Sequence, residues 1–408
     1  MLSPTSLEKQ YEQAATDELR VLVVGAGIAG VTAAQLLRRD GRHPVLIERA
    51  ESSSAQGYML ALMPMVDAAL DDLGVHEAYR AASTPLGRYA VHGHSGRKLR
   101  EDSMSAILAR FGDYRGIGRG ELIDALSGEG GAATFGSTVT DLIERPDEVE
   151  VTVSTPDGSH RLTFDLVVIA DGIHSDTRQF VLGKRSVQVV DTKWGGWVVW
   201  APEDADSDLG EEWWGAGYFA GLYPVKGEVG VFFGGPRADT AAGPESFVAK
   251  TRRQLKDVSP RLDRALTAVL DDPDPYYWSL TDCRAPEWTT GRTVLLGDAA
   301  AGFLPTAGIG AGMAMESAWV LAGILRQSGG SALADLLRAY ERLQRPRVEA
   351  AQNNSRQLAN LMFHRSRTLT VIRELAMRFV SVERALGPIK KLLQEQPDPR
   401  EAIRVGQC

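Results

Sequence analysis

The first cluster of hydrophobic positions is Arg20-Val21-Leu22-Val23-Val24, a nearly continuous apolar run ended by glycine. Such a run predicts a central parallel strand buried on both faces. From Ile28 to about Arg39, the residues Ile28, Ala29, Val31, Ala33, Ala34, Leu36 and Leu37 predict a packed helix, which Asp40-Gly41 stops. Val45-Leu46-Ile47-Glu48 is a second strand and completes a βαβ unit. A helical pattern through Met65, Ala69, Leu70 and Leu73 ends at Gly74, and another helix follows Arg119 over 120–126. Strands are expected at 149–153 and 160–164, joined by a Pro156-Asp157-Gly158 turn. The next, Leu166-Val167-Val168-Ile169-Ala170, runs into Asp171-Gly172.

Beyond about Val181 the pattern changes to alternation rich in aromatics, which persists to Leu280 and includes Trp194, Trp197, Trp200, Trp213, Trp214 and Tyr223. This predicts a second, mostly antiparallel domain, joined by shorter segments over 86–99 and carrying a helical interlude at 247–270. A buried strand returns at Thr293-Val294-Leu295-Leu296, followed by Gly297-Asp298-Ala299-Ala300. Helices are expected at 311–327 and 332–345, and the chain beyond Val348 reads as mostly helical, interrupted at Pro388 and Pro397. The expected organisation is a flexible tail at 1–19 and a discontinuous nucleotide-binding domain at 20–80, 105–180 and 285–350. Substrate-domain segments fall at 81–104 and 181–284, with a C-terminal helical region at 351–408.

Composition narrows the class. A length of 408 residues favours two packed domains over one core. The net charge of -8 gives no reason to expect nucleic acid as a partner. Two cysteines, Cys283 and Cys408, form neither a disulfide framework nor a metal cluster and suit a reducing compartment. The N-terminal stretch is polar and lacks the apolar core of a signal peptide, and the apolar runs are strand-sized. A cytoplasmic protein without stable membrane insertion is expected.

Three constellations carry chemistry. Gly25-Ala26-Gly27-Ile28-Ala29-Gly30 lies between a strand and a helix. There the first glycine permits the turn, the second lets a pyrophosphate approach, and the third permits helix-on-sheet packing. Glu48, eighteen residues past Gly30, is placed to accept from ribose hydroxyls. Taken alone the loop fits any dinucleotide, and a structural glycine turn is its bland alternative. The second constellation, Asp171-Gly172-Ile173-His174-Ser175-Asp176-Thr177-Arg178, puts polar groups at a strand's carboxyl end, where a solvated loop would serve nearly as well. His174 reads as a loop histidine. The third, Gly297-Asp298, continues through Pro305 to Gly308-Ile309-Gly310-Ala311-Gly312, whose backbone N–H groups suit an anion at a helix start.

Together these residues resemble the three fingerprints of the class A flavoprotein monooxygenases, the aromatic hydroxylase family, in order and spacing over roughly 20–360. The resemblance implies an α/β fold, with a Rossmann-like FAD-binding domain, an inserted mostly antiparallel β-sheet substrate domain and C-terminal helices. It implies that Gly25, Gly27, Ile28, Ala29, Gly30, Glu48 and Arg49 hold the ADP half of FAD, with Arg119 as a further contact. Asp298, preceded by Gly297 as a further cofactor-binding residue, would meet the ribityl–pyrophosphate region. Asp171 would serve both flavin binding and NAD(P)H use, mostly through the scaffold, and Pro305, Gly308, Gly310, Ala311 and Gly312 would flank the isoalloxazine. Glu316 departs from the aspartate that many members carry there. The implied chemistry uses NADPH or NADH as a transient reductant and O₂, which adds at the flavin C4a before an oxygen atom passes to an aromatic or polyketide-like substrate. A relative that reduces, dehydrogenates or rearranges its substrate is the alternative, and a non-catalytic flavin-binding protein a minor one. No catalytic side chain stands out. Trp194, Trp197 and Tyr223 are candidates to line the pocket, although an aromatic in a sheet is more often core. His92 and His94 are too few for a metal site, and a monomer or homodimer is expected.

Overall fold

The computed structural model describes residues 1–52, 57–128, 130–203, 205–326, 332–377 and 381–399. Gln327, expected at a helix end, and all of 400–408, Cys408 included, lie outside the described residues.

The apolar runs become a four-stranded parallel sheet in the spatial order Thr293–Leu295, Leu166–Ile169, Val21–Val24, Val45–Ile47. Every residue of these four strands is buried, as continuous Val/Leu/Ile runs require when both faces are covered. Helix Ile28–Arg39 packs on one side, together with the helix Gly310–Arg326. The second predicted helix of this region runs from Leu333 to Met362 and passes through Pro346 without ending.

The aromatic-rich region forms an eight-stranded sheet. Its order is Ala301–Gly302, Tyr276–Arg284, Gln188–Pro202, Glu228–Pro236, Phe219–Val225, Leu209–Trp214, Arg88–His92 and Lys98–Ser103. All neighbours pair antiparallel except Leu209–Trp214 with Arg88–His92. The interlude at 247–270 is two helices, Pro244–Gln254 and Pro260–Asp271, covering the sheet's outer face. The Pro156-Asp157-Gly158 turn joins Val149–Thr155 to Gly158–Phe164, and Thr138–Glu144 adds a third strand.

The period of two decides which aromatics face where. Trp197, Val199, Trp213 and Phe233 point outward into a core with Phe247 and Leu262. Trp194, Val198, Trp214, Phe219 and Phe232 point toward the parallel sheet's side of the molecule.

Residues 1–19, expected to be a flexible tail, are folded instead. Ser3–Pro4 pairs in parallel with Ala132–Ala133, and Leu7–Ala14 is a helix with Leu7 and Ala14 buried. Buried Gln10 donates to the Leu46 carbonyl at 3.1 Å and the Thr134 hydroxyl at 2.8 Å, and its Oε1 accepts from the Leu46 N–H at 3.0 Å. The segment's overall polarity hid this, because one amphipathic face and one buried amide suffice to dock a short helix. The helix Arg367–Met377 buries Thr370 and Arg373 and leaves Leu369, Ile372 and Leu375 exposed. Among the described residues, no helix is long and apolar enough to cross a membrane. Gln10→Ala is expected to destabilise the protein by about 2–3 kcal/mol, because it strands buried backbone and hydroxyl partners; urea unfolding measures this.

Candidate active site

The strand Val21–Val24 delivers the chain into a turn that glycine alone accommodates. Gly25 has φ 99°, and a Cβ there would lie 2.6 Å from the Ala170 carbonyl oxygen. At Gly30 a Cβ would meet the Gly25 oxygen at 1.9 Å, so the helix sits directly on the turn. Gly27 differs, since its nearest neighbour would be the Arg119 guanidinium at 3.9 Å. Two of the three glycines therefore permit packing, and the middle one faces open space. Glu48 holds the turn, its Oε2 accepting from the Ala26 N–H at 2.7 Å and its Oε1 from the Ala50 N–H at 2.9 Å.

The two other strand ends converge on this turn through Arg178. Its buried guanidinium donates to the carbonyls of Ala299 at 2.5 Å, Ile173 at 3.0 Å, Gly172 at 3.1 Å and Asp298 at 3.3 Å. Asp171 accepts from the Thr177 hydroxyl at 2.7 Å with Oδ2, while its Oδ1 is buried without a hydrogen-bond partner among the described residues. Burial raises the Asp298 carboxyl to about 6, against the opposing pull of Arg178.

A cavity of about 980 Å³ runs from this edge to the inner face of the eight-stranded sheet. At one end it is lined by Gly27, Ile28, Ala29, Arg119, Asp171 and Asp298. At the other it is lined by Tyr89, Glu212, Trp214, Phe219, Tyr223 and Arg373. Pro305, Gly308, Gly310 and Ala311 lie on its wall between the two regions' elements. The open face at Gly27, the unpartnered Asp171 oxygen and the buried Asp298 carboxyl fit a long ligand with phosphate at the glycine turn and hydroxyl groups beyond it.

The FAD binding domain family matches residues 18–355. The 3-amino-4-hydroxybenzoate 2-monooxygenase of Streptomyces cremeus is 30% identical over 362 residues, covering 84% of this chain and 87% of that protein. The aurachin C monooxygenase/isomerase of Stigmatella aurantiaca is 30% identical over 392 residues, covering 93% of this chain and 99% of that protein. The chain belongs to the class A flavoprotein monooxygenases. The crystal structure of Klebsiella pneumoniae HpxO complexed with FAD and uric acid superposes with a TM-score of 0.81 at 26% identity, covering 93% of this chain and 97% of that one.

This flavoprotein is thus an FAD-dependent oxidoreductase, and its fold is the expected FAD-binding architecture with a second, antiparallel-rich sheet. Several expected site residues act by shaping the cavity rather than by lining it. Gly297, with φ 60°, packs against Ala29, and a Cβ on Gly312 would meet the Met65 sulfur at 2.7 Å. Arg49 lines the cavity but is exposed and pairs with Asp176 at 3.6 Å. Glu316 is buried in a two-pronged pair with Arg347, at 2.7 and 2.8 Å, which fastens two helices together. His174 is exposed on the cavity rim.

The aromatic candidates divide. Tyr223 lines the cavity, whereas Trp197 points to the sheet's opposite face, against Phe247 and Tyr277. Trp194 faces the inner side but is stacked on Phe363 at 4.8 Å, and Phe363 rather than Trp194 lines the cavity. His92 also points outward, stacked on Trp213 and bonded to Glu211 at 2.9 Å, and His94 bonds Glu374 at 2.8 Å. Sequence reasoning overlooked Glu212, Tyr89, Tyr114 and Arg373. Glu211-Glu212 inside a strand was the available signal, because adjacent strand residues face opposite sides and one of the two had to face inward.

Gly27→Val is expected to lower FAD retention about tenfold or more while the fold persists, since it fills the approach to the helix N-terminus. Gly30→Ala is expected to lose folded protein altogether. The flavin-to-protein absorbance ratio after gel filtration, beside the circular dichroism spectrum, separates the two. A further expectation concerns pH. Folded Asp298 keeps its proton to about 6 while an exposed aspartate releases it near 3.8, so the folded state binds more protons in between. The FAD-free protein should therefore lose about 3 kcal/mol of stability as pH rises through that window, and Asp298→Asn should lack that component. Denaturation midpoints of both proteins across the range test this.

Proposed function

We propose that this enzyme uses NADH or NADPH and O₂ to hydroxylate or epoxidise an aromatic or polycyclic, polyketide-like small molecule. The observation that carries the reading is the single cavity joining the glycine turn to an aromatic sheet face, with room for a cofactor and a second organic molecule. The named activities of the relatives on aminohydroxybenzoate and aurachin support it.

Bound FAD supplies the redox chemistry, taking up a hydride and activating O₂. The chain's own residues do the rest. Gly27, Ile28 and Ala29 present the helix N-terminus to the pyrophosphate, with Arg119 above the turn. Glu48 fixes the turn and offers its remaining lone pairs to ribose hydroxyls. Asp298, which burial helps to keep its proton, and the free oxygen of Asp171 receive hydroxyls at this edge. The loop Pro305–Ala311 flanks the reactive ring, and its N–H groups favour negative charge there. Trp214, Phe219, Phe232 and Tyr223 orient the substrate ring and keep water away.

On this reading, 20–80, 105–180 and 285–350 form the cofactor domain and 81–104 with 181–284 the substrate domain. The enzyme works in the cytoplasm as a monomer or homodimer. Purified protein is expected to be yellow and to consume NADH or NADPH faster when a suitable aromatic is present. Mass spectrometry under isotope-labelled O₂ should find one labelled oxygen atom in the product. Turnover that leaves the product unlabelled would instead establish a reductase, dehydrogenase or isomerase.

A further inference from the structure

The strand Leu209–Trp214 carries two adjacent glutamates with opposite fates. Glu211 points outward and is neutralised, accepting from Arg261 at 2.8 Å and bonding His92 at 2.9 Å. Glu212 points into the cavity, is 6% exposed, and has no cationic partner among the described residues. Its partners are neutral donors. The Tyr223 hydroxyl donates to Oε1 at 2.5 Å and the Trp214 indole N–H to Oε2 at 2.7 Å, with the Tyr89 hydroxyl adding a third bond.

A buried carboxyl without a counter-ion is costly, and an apolar side chain at this position would bind the sheet together at least as well. The strands hold one another by their own ladder hydrogen bonds, so Glu212 is not needed to fix their register. A carboxylate has about four acceptor sites. Three are taken, and the group lies on the wall of a cavity otherwise dominated here by Trp214, Phe219, Phe232 and Val91. Tyr89, Tyr114 and Tyr223 are themselves held un-ionised by burial, reinforced by the negative charge of Glu212. Their hydroxyls therefore remain donors and acceptors. Two arginines line this cavity without pairing to Glu212. Arg100 makes a two-pronged pair with Asp102. Arg373 lies over the Trp214 ring and donates its terminal nitrogens to the carbonyls of Leu361, Met362 and Trp214, its Nε alone lacking a hydrogen-bond partner among the described residues.

We propose that Glu212 is the specificity-determining residue of the substrate end: it accepts a hydrogen bond from a ring O–H or N–H and rejects a carboxylate at that position. This rests on the reading of the cavity as the substrate site, and it narrows the substrate to a hydroxy- or amino-substituted ring system. Tyr223 is a positioning residue that orients the Glu212 carboxyl.

The test titrates the FAD-loaded protein, without reductant, with three ring-matched probes: naphthol, its methyl ether and the corresponding naphthoate. Binding is read from the perturbation of the flavin absorbance, so it does not depend on turnover or on oxygen insertion. The wild type should bind naphthol about tenfold or more tighter than either analogue. Glu212→Gln should bring the naphthoate within a few-fold of naphthol, because the amide no longer repels it. Tyr223→Phe should weaken naphthol while leaving the naphthoate rejected, and it serves as the second variant should Glu212→Gln fail to fold. Equal wild-type affinity for all three probes, no binding of naphthol, or unchanged selectivity in Glu212→Gln would each overturn the proposal. Failure of labelled oxygen to enter product, with this selectivity intact, would strike the monooxygenase reading and leave the assignment of Glu212 standing.

Discussion

Three chain turns meet at the carboxyl edge of the parallel sheet at distances that a single methyl group would prevent. Gly25 lies against the Ala170 carbonyl, Gly30 against Gly25, and Gly297 against Ala29. Arg178 then gathers the carbonyls of two of these turns onto one guanidinium. Without that closeness the helix N-terminus behind Gly27 would not reach the same cavity as Asp171 and Asp298. The glycine-turn end of the cavity is therefore a property of backbone packing.

The opposite end of the cavity, on the eight-stranded sheet, follows a different rule. Its wall is a sheet, and each strand residue faces inward or outward by parity alone. On Leu209–Trp214 that parity sends Glu211 to a buried ion pair with Arg261 and Glu212 into the cavity. The outward pair is closed upon itself, with His92 completing it, and it ties a helix to the sheet. The inward carboxyl is held by hydroxyl and indole donors, an arrangement that leaves it chemically available.

The cofactor end was legible because its requirements are local. A strand, a glycine pattern and an acidic residue at a fixed spacing state most of the geometry: Gly25 makes the turn, Gly30 lets the helix pack on it, and Gly27 is left with no close neighbour. The substrate end was less so, because strand parity needs an anchor that the sequence does not print. Bulges shift it too, as between Asp191 and Gly195 in the strand that carries Trp194 and Trp197. Trp197 could thus be named only as a candidate beside the more frequent core role it in fact takes, and Glu212 was passed over. The N-terminal helix was missed for another reason: Gln10 and its partners Leu46 and Thr134 are far apart in sequence, and composition is blind to such pairing.

The order of strands in the parallel sheet bears on how the chain assembles. Its members come from residues 21–24, 45–47, 166–169 and 293–295, and the last of these is an edge strand hydrogen-bonded to the third. On a ribosome the sheet stays incomplete, and Arg178 lacks the Asp298 and Ala299 carbonyls, until about three quarters of the chain has been made. The antiparallel sheet waits as long: its hairpins over 209–236 close locally, but its strands come from residues 88–302 and Ala301–Gly302 completes it. Recognition and assembly therefore run at different paces: the most recognisable motif, at the start, belongs to a sheet that only a strand from late in the chain completes.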